Sequence, residues 1–584
     1  MTTSRAPGIY SMESESRYVP MGLGPSGVAG FVGMAERGPT DVPTRVTSYE
    51  EFLSLFGEPP LEGYLGPAIQ GFFLNGGRAC YVLRIAHQVS RSGEETAAKA
   101  AHNLLTETGA PSLRVESMNP GLWANRVRIS VERPDPRVST LLTLDLRAGD
   151  TSAVIKSTHG LMQGSIIRLR DKEGEVYRTL TDLSGKTISW SEDQPLERPF
   201  DSGAPTWIEP LEFDLNVQWG AQRERYRYLS MSPSSGAYFE RVINERSELV
   251  RVLDARDELP AHERTPAVQA ELTLSGGLDG AYTVTPDDFI GANIGPEERY
   301  GIAAFEAVDE VDLLVAPDLA WALAHSGGFR SEADVHVVQE AMVSQCERLK
   351  TRVAIMDFPE PANIKHASQW RLHFDSAFAA FYFPWVATEH QGQQRLVPPS
   401  GHVCGIIARC DGAMGPYRAP ANEEIEGIFD VGVDLRDNDI ARLNDEGVNC
   451  LKGFARRGIR VWGARTTSSD PMWRFLNVRR VMNTVISSVE RGLQWTVFET
   501  NTPLLWKTLT RQVTSFLMDL WREGYFQGRT PEEAFFVKCD EETNPEEIRD
   551  VGVVVIECGI APVRPAEFIS FKVEAEIDEV GGGG

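Results

Sequence analysis

Several places in this sequence carry residue types at spacings that could do chemistry. Gly22-Leu-Gly-Pro-Ser-Gly27 has the GxGxxG spacing of a dinucleotide-binding loop. That chemistry needs a strand before the glycines and a helix after them, so that the helix N-terminus meets the pyrophosphate. Here a polar stretch with Pro20 precedes, Pro25 interrupts, and a glycine-broken strand follows. Ser184-Gly-Lys-Thr187 resembles the end of a phosphate loop, but Leu180 stands where that loop needs its first glycine, and the surroundings read as a β-turn. His366 and His373 lie seven residues apart, compatible with one helix face, and no third metal ligand is spaced with them. His402 sits near Cys404 and Cys410, but a nucleophilic Cys/His pair needs a tertiary contact that spacing alone does not supply. Glu423-Glu424 and Glu541-Glu542 read more simply as solvated loops than as acid/base pairs. None of these patterns supports an enzyme, and no catalytic residue, metal site or cofactor is expected.

The frame that would have to position such residues is large. At about 150 residues per domain, 584 residues imply three or four domains. Apolar residues make up 42% and charged residues 24%, the globular range, which excludes collagen-like, coiled-coil and wholly disordered chains. The net charge of −25 argues against coating nucleic acid, which needs a basic footprint. Arg outnumbers Lys 48 to 10, which suits planar bidentate contacts, although genome base composition explains such a bias equally well. No export signal is read at the polar N-terminus. The longest apolar run, Ala377 to Ala387, is about half a membrane span. The seven scattered cysteines contain no CxxC pair and read as reduced, mostly buried thiols of a cytosolic protein.

Along the chain, residues 1–20 read as an extended arm and 21–118 as compact α/β. Ser48 is a plausible N-cap for a helix over Tyr49–Phe56 that Gly57 ends. Residues 119–230 carry short alternating runs separated by turn signals, the signature of a small antiparallel barrel or sandwich. The segment 231–365 reads as irregular at first, with one helix near 237–255, and then as a βαβ unit whose helix is capped by Asp334 and runs to about Lys350. Residues 366–565 alternate strands and helices, including helices over 474–491 and from Asn501-Thr-Pro503, and strands at Trp495–Phe498, Ala534–Lys538 and Val551–Glu557. In the last part, 566–584, residues Ile569 to Ile577 alternate with period two, so one face is meant to be buried, and a Gly581–Gly584 tail follows. The expected fold class is multidomain α+β or α/β. A mixed-sheet core is built from N- and C-terminal segments, with an inserted small β-barrel or sandwich.

Long, distributed motifs in the second half resemble the contractile tail sheath family of bacteriophages and bacterial contractile injection systems. They are Phe383-Pro-Trp385, Val397-Pro-Pro-Ser-Gly-His402, Ala419-Pro-Ala-Asn422, Leu443-Asn444, Gly447-Val-Asn449, Gly458-Ile-Arg-Val-Trp-Gly-Ala-Arg-Thr466 and Trp473 to Arg480. Glu533 to Cys539 and Ile560 to Phe568 resemble the closing segments. Pro7-Gly-Ile-Tyr10 resembles the opening arm, and Gly30 to Gly33, Glu36 to Pro39 and Gly71 to Gly77 the first core segment. The stretch 120–215 lacks the core motifs and looks like an insertion.

The resemblance implies a subunit that polymerises helically as stacked rings around an inner tube and contracts to drive that tube through a target envelope. The energy would lie in two packings of the same subunits rather than in a nucleotide. Implied partners are further copies of the chain, the inner tube protein, and baseplate and terminal cap proteins, with no nucleic acid and no membrane insertion. Assembly in the bacterial cytoplasm would yield part of a phage tail or tail-like particle. The arm residues Pro7, Gly8, Ile9 and Tyr10 and the terminal strand residues Phe568, Ile569, Phe571, Val573 and Ala575 would reach neighbouring subunits. On the helix at 474–491, the arc Arg479, Arg480, Asn483, Ser487, Glu490 and Arg491 is the candidate contact with the tube. The competing expectations are a soluble α/β enzyme with an unrecognised site and a non-contractile assembly component of the same fold.

Overall fold

A computed structural model describes residues 21–567 except 59–62, 89–95, 135–138, 256–258, 296–297 and 391. Its centre is an eight-stranded sheet made of β1 (Ala29–Gly33), β2 (Thr44–Val46), β3 (Cys80–Arg84), β4 (Leu313–Val315), β5 (Val353–Met356), β6 (Ala379–Phe383), β7 (Val448–Phe454) and β8 (Gly458–Trp462). The order across the sheet is β2-β3-β1-β4-β5-β6-β7-β8. The strands from β3 through β7 in that order are parallel, and β2 and β8 close the edges antiparallel. Ala29 of β1 pairs with Cys80 on one side and Leu313 on the other, so residues nearly 300 positions apart share one ladder. The expected core of N- and C-terminal segments is therefore present.

The central strands read as apolar runs because helices cover both faces. The helices on one face are α1 (Tyr49–Phe56), α2 (Leu65–Leu74) and, later in the chain, α5 (Ser400–Ala413). On the other face lie α3 (Glu332–Leu349) and α4 (Ile364–Arg371). Successive β6 residues alternate between the two cores, Ala380 and Tyr382 toward the first and Phe381 and Phe383 toward the second. Two further helices follow, α6 (Leu476–Leu493) and α7 (Pro503–Arg522), packed through Val481, Val485, Val513, Phe516 and Leu517. A two-stranded sheet, β9 (Phe535–Lys538) with β10 (Glu557–Ile560), ends the described chain.

Six strands between Thr140 and Pro210 form one sheet, and the Leu142–Ile155 bridge joins its two edges, closing it as a barrel around Ile167, Leu169, Leu180 and Ile188. A second β core lies beside it. Strands Arg128–Glu132, Phe213–Trp219, Gln222–Leu229 and Gln269–Thr273 form one of its sheets. Ala101–Leu105, Pro111–Ser117 and Val250–Asp254 form the other. The β-rich region thus runs from 101 to 273, wider than the expected 119–230, because strands on both sides of those limits pair with each other. The boundary expected at 365/366 likewise falls inside the eight-stranded sheet.

Local signals fare unevenly. Ser48 caps α1, its Oγ accepting from Glu51 N at 3.1 Å. Thr502 caps α7 with Pro503 at its first position. The cap of α3 is Ser331 rather than Asp334, which sits at the third helical position and accepts from Ser331 N at 3.0 Å. The helix expected near 237–255 is only Phe239–Asn244, and Val250–Asp254 is a strand. Trp495–Phe498 is not a strand. A helical turn, Gln494–Thr496, is followed by Phe498 with φ of 70°. The strand expected over Val551–Glu557 starts only at Glu557, because Gly552 turns back at φ of 76° and its N–H reaches Arg549 O. No described helix is long and apolar enough to cross a membrane.

Candidate functional site

The candidate chemical motifs do not assemble into a reactive centre among the described residues. The glycines of Gly22–Gly27 lead into strand β1, not into a helix. Ser184 to Thr187 is the tip of a hairpin in the barrel, with Gly185 at φ of 62°. His402, Cys404 and Cys410 lie buried on α5, where burial pushes the His402 imidazole down to about 4 and the Cys410 thiol up to about 11. His402 packs on the bare backbone of Gly71, whose absent Cβ would lie 2.5 Å from the ring. Glu423 pairs with Arg418 at 2.9 Å and Glu542 pairs with Lys538. His366 does gain neighbours invisible in the spacing. Glu332 and Glu360 bring ligand atoms within 4.8 Å of its ring and of each other, which is the one described grouping able to hold a metal ion. All six free thiols other than Cys558 are buried.

The densest polar arrangement lies on α6, and it corrects the expectation that its charged arc faces outward. Arg479, Arg480 and Asn483 are buried within the chain, Ser487 is half-buried, and only Glu490 and Arg491 are exposed. Arg479 lies between the rings of Phe378 and Trp473, with its guanidinium carbon 4.4 and 4.5 Å from their centroids, and its Nε donates to Asn483 Oδ1 at 2.9 Å. Burial lowers its pKa to about 10. Arg480 donates to Asp411 Oδ1 at 2.8 Å and to Asp312 Oδ2 at 2.8 Å. The two carboxylates hold that guanidinium firmly charged, while burial pushes the Asp312 carboxyl up against the pull of Arg480. Arc arithmetic fails here because α6 is covered on both sides, by α7 on its apolar face and on its polar one by Phe378, Asp312, Asp411 and Arg352, with Gly24 joining at Ser488.

Those chain ends complete the site. Asp312 also accepts from Gly27 N at 3.0 Å and Val28 N at 2.7 Å, and Ser488 Oγ accepts from Gly24 N at 2.9 Å. At the other end of α6, Asn477 Nδ2 donates to Val563 O at 3.0 Å. Just before α6, Arg465 pairs with Glu567. The expected arm residues Pro7, Gly8, Ile9 and Tyr10 and strand residues Phe568, Ile569, Phe571, Val573 and Ala575 lie outside the described residues. What sequence reading missed is that Asn477 and Ser488 continue the Arg480 stripe, one polar residue per helical turn, and that their partners are distant in sequence: Val563 lies 86 positions from Asn477 and Gly24 lies 464 from Ser488.

Residues 303–467 match the phage tail sheath protein central domain, and residues 468–576 match the phage tail sheath C-terminal domain. Residues 303–576 therefore carry the central and C-terminal domains of the phage tail sheath family. Among relatives of this family the chain is 29% identical over 243 residues to a prophage major tail sheath protein of Pseudomonas aeruginosa, covering 41% of this chain and 61% of that one. The curated sheath relatives are matched over 28% to 61% of their lengths. Two solved structures share the fold. The sheath tail protein of Listeria innocua gives a TM-score of 0.56 at 12% identity, with 94% of both chains covered. The anti-feeding prophage helical sheath in its contracted state gives 0.52 at 19% identity, covering 98% of this chain and 100% of that one. The sheath motifs Val397 to His402 and Gly447 to Asn449 now have places: the first enters α5 and the second opens β7.

Proposed function

We propose that this chain is a structural, non-catalytic subunit of a contractile sheath. It polymerises helically around an inner tube and contracts to drive that tube through a target envelope. The observation that carries this reading is the unbroken family match over 303–576. Partners on this reading are other copies of the chain, the inner tube, a baseplate and a terminal cap. Assembly takes place in the bacterial cytoplasm, and the product is a phage tail or tail-like particle.

Neighbouring copies are joined by the terminal segments. The alternating residues Ile569 to Ile577 have one apolar face to bury. The β9–β10 sheet is a fitting receiver. Two strands alone are marginal in water, neither strand has a second neighbour among the described residues, and Phe536 stands exposed on β9. The part of α6 free to meet the tube is its end, Glu490 and Arg491, with the loop carrying Trp495, Val497 and Phe498, all exposed.

Electron microscopy of the purified protein, alone and mixed with its tube protein, tests the proposal. Striated tubes or stacked rings are expected. Monodisperse particles of one subunit under all assembly conditions would sink it.

A further inference from the structure

We infer that the polar stripe of α6 is a clamp that roots both terminal segments of the chain on one helix. A pull on one segment is then passed to the other without deforming the sheet. The inference rests on the sheath reading above and adds the device that joins its two tethers.

The N-terminal root is residues 21–28. Its amides at Gly24, Gly27 and Val28 are each accepted by a side chain, Ser488 for the first and Asp312 for the other two. Asp312 is in turn held by Arg480, which also grips Asp411 on α5. One buried guanidinium therefore bolts the root, α6, α5 and the entry to β4 together. Two glycines make the fit possible. A Cβ on Gly27, at φ of 73°, would lie 2.6 Å from Ala408 Cα, and one on Gly24 would lie 2.4 Å from the Arg491 guanidinium. These are glycines of the GxGxxG spacing, and close seating on two helices accounts for both. Met21 continues the run onto Gly492, whose Cβ would meet it at 2.4 Å.

The C-terminal root is residues 561–567. Asn477 holds Val563 O while its Nδ2 also reaches Tyr417 O at 2.8 Å, and Arg465 holds Glu567. From Asn477 to Ser488 the helix advances about 16 Å at 1.5 Å per residue. A helix of that length is stiff and holds its two ends at a fixed separation. In a polymer joined only through such segments, a root that slips absorbs motion that should move the next subunit. Asp312, Arg480 and Ser488 are positioning residues for one root, and Asn477 and Arg465 for the other.

The test uses full-length protein in two assays. Hydrogen exchange on the unassembled chain compares the natural protein with Ser488→Ala, Asp312→Asn and Asn477→Ala. Ser488→Ala removes a single acceptor and keeps the fold even where Asp312→Asn does not. Peptides over 21–28 are expected to exchange about tenfold faster in Ser488→Ala, and peptides over 561–567 in Asn477→Ala, with barrel peptides over 152–190 unchanged. In assembly, each single variant shortens the tubes, and the double variant Ser488→Ala with Asn477→Ala is no worse than the worse single, because both break one path. Unchanged protection of both roots overturns the clamp, as do single-variant losses that multiply in the double. Failure of the natural protein to polymerise overturns the sheath reading, and exchange still judges the roots.

Discussion

Arg465 closes on Glu567 through two guanidinium contacts, one of them Nε to Oε1 at 3.0 Å, and Glu567 is the last described residue. The arginine side chain is 4% exposed and the glutamate 20%. The arginine keeps only Asn444 O at 2.7 Å and an exposed Asp445 at 3.7 Å if the glutamate is lost. Glu567→Ala therefore strands a buried guanidinium and should lower unfolding stability by about 2–3 kcal/mol. Glu567→Gln retains one acceptor and should cost about 1 kcal/mol. A double-mutant cycle with Arg465→Ala should give a coupling on the order of 1–3 kcal/mol in denaturant titrations. Additive effects would mean the pair contributes nothing of its own.

Stability should fall as pH rises from about 4 to 7. Burial pushes Asp357 up to about 7 and Asp318 up to about 6, while an unfolded aspartate titrates near 4. Between those values the folded chain binds more protons than the unfolded one, so each unit of pH weakens folding. Among the described residues the Asp357 carboxylate is met by Ser400 alone, its N at 3.1 Å and its hydroxyl at 2.5 Å. Asp357→Asn removes the charge and keeps the shape. Its denaturation midpoint should exceed that of the natural protein at pH 8, and the two should converge near pH 4 and below. His402 works in the opposite sense: with its pKa lowered to about 4, it draws down stability as pH falls below 6.5. A natural protein that grows steadily more stable from pH 4 to 7 contradicts this assignment.

The parts of the fold legible in the sequence are those fixed by neighbours in the chain. Ser48 caps α1 and Pro503 opens α7 through contacts three residues long or shorter, and residue type alone signals them. The β-rich region is visible as short alternating runs. Its limits are not, because Pro111–Ser117 finds its partner at Val250–Asp254, and nothing local to either strand names the other. The polar arc of α6 fails for the same reason. Periodicity identifies two faces of a helix, but Arg480 is buried by Asp312, 168 positions away. A buried arginine with two carboxylates and an exposed arginine look alike in sequence.

The barrel should be removable, but only along the register the strands define. Glu132 pairs with Asp214 across the Arg128–Glu132 and Phe213–Trp219 strands. The chain therefore leaves and returns at adjacent points, with Cβ atoms about 5 Å apart in such a pair. Replacing 134–212 with a short Asn-Gly-type turn makes a hairpin of those strands and keeps every strand of the neighbouring β core, at the loss of Ile166 and Leu211 from its packing. Replacing 125–215 instead deletes Arg128–Glu132, the strand that Gln269–Thr273 also needs. The first deletion should give soluble protein that still assembles, and the second insoluble protein. Equal behaviour of the two would mean that the barrel and the core beneath it fold as one.

Phe498 is 104% exposed at φ of 70°, a strained conformation for an aromatic residue that packs on nothing among the described residues. Val497 at 64% and Trp495 at 39% stand beside it on the same turn, after the charged end of α6 at Glu490 and Arg491. A large apolar tip beside charges has the composition of a binding hot spot, where one buried aromatic ring contributes about 2 kcal/mol or more. On the sheath reading, this tip meets the tube. Phe498→Ser removes apolar surface that only a partner could bury, so the melting temperature should stay within about 1 °C, as surface changes usually do. Extended sheaths on tubes should become rare, while tube-free sheaths still form. Arg491→Glu should weaken the same contact in low salt and lose its effect as salt rises, because exposed charges are screened beyond about 8 Å at physiological ionic strength. Normal extended sheaths from Phe498→Ser at every salt concentration would assign the tube contact elsewhere on the subunit.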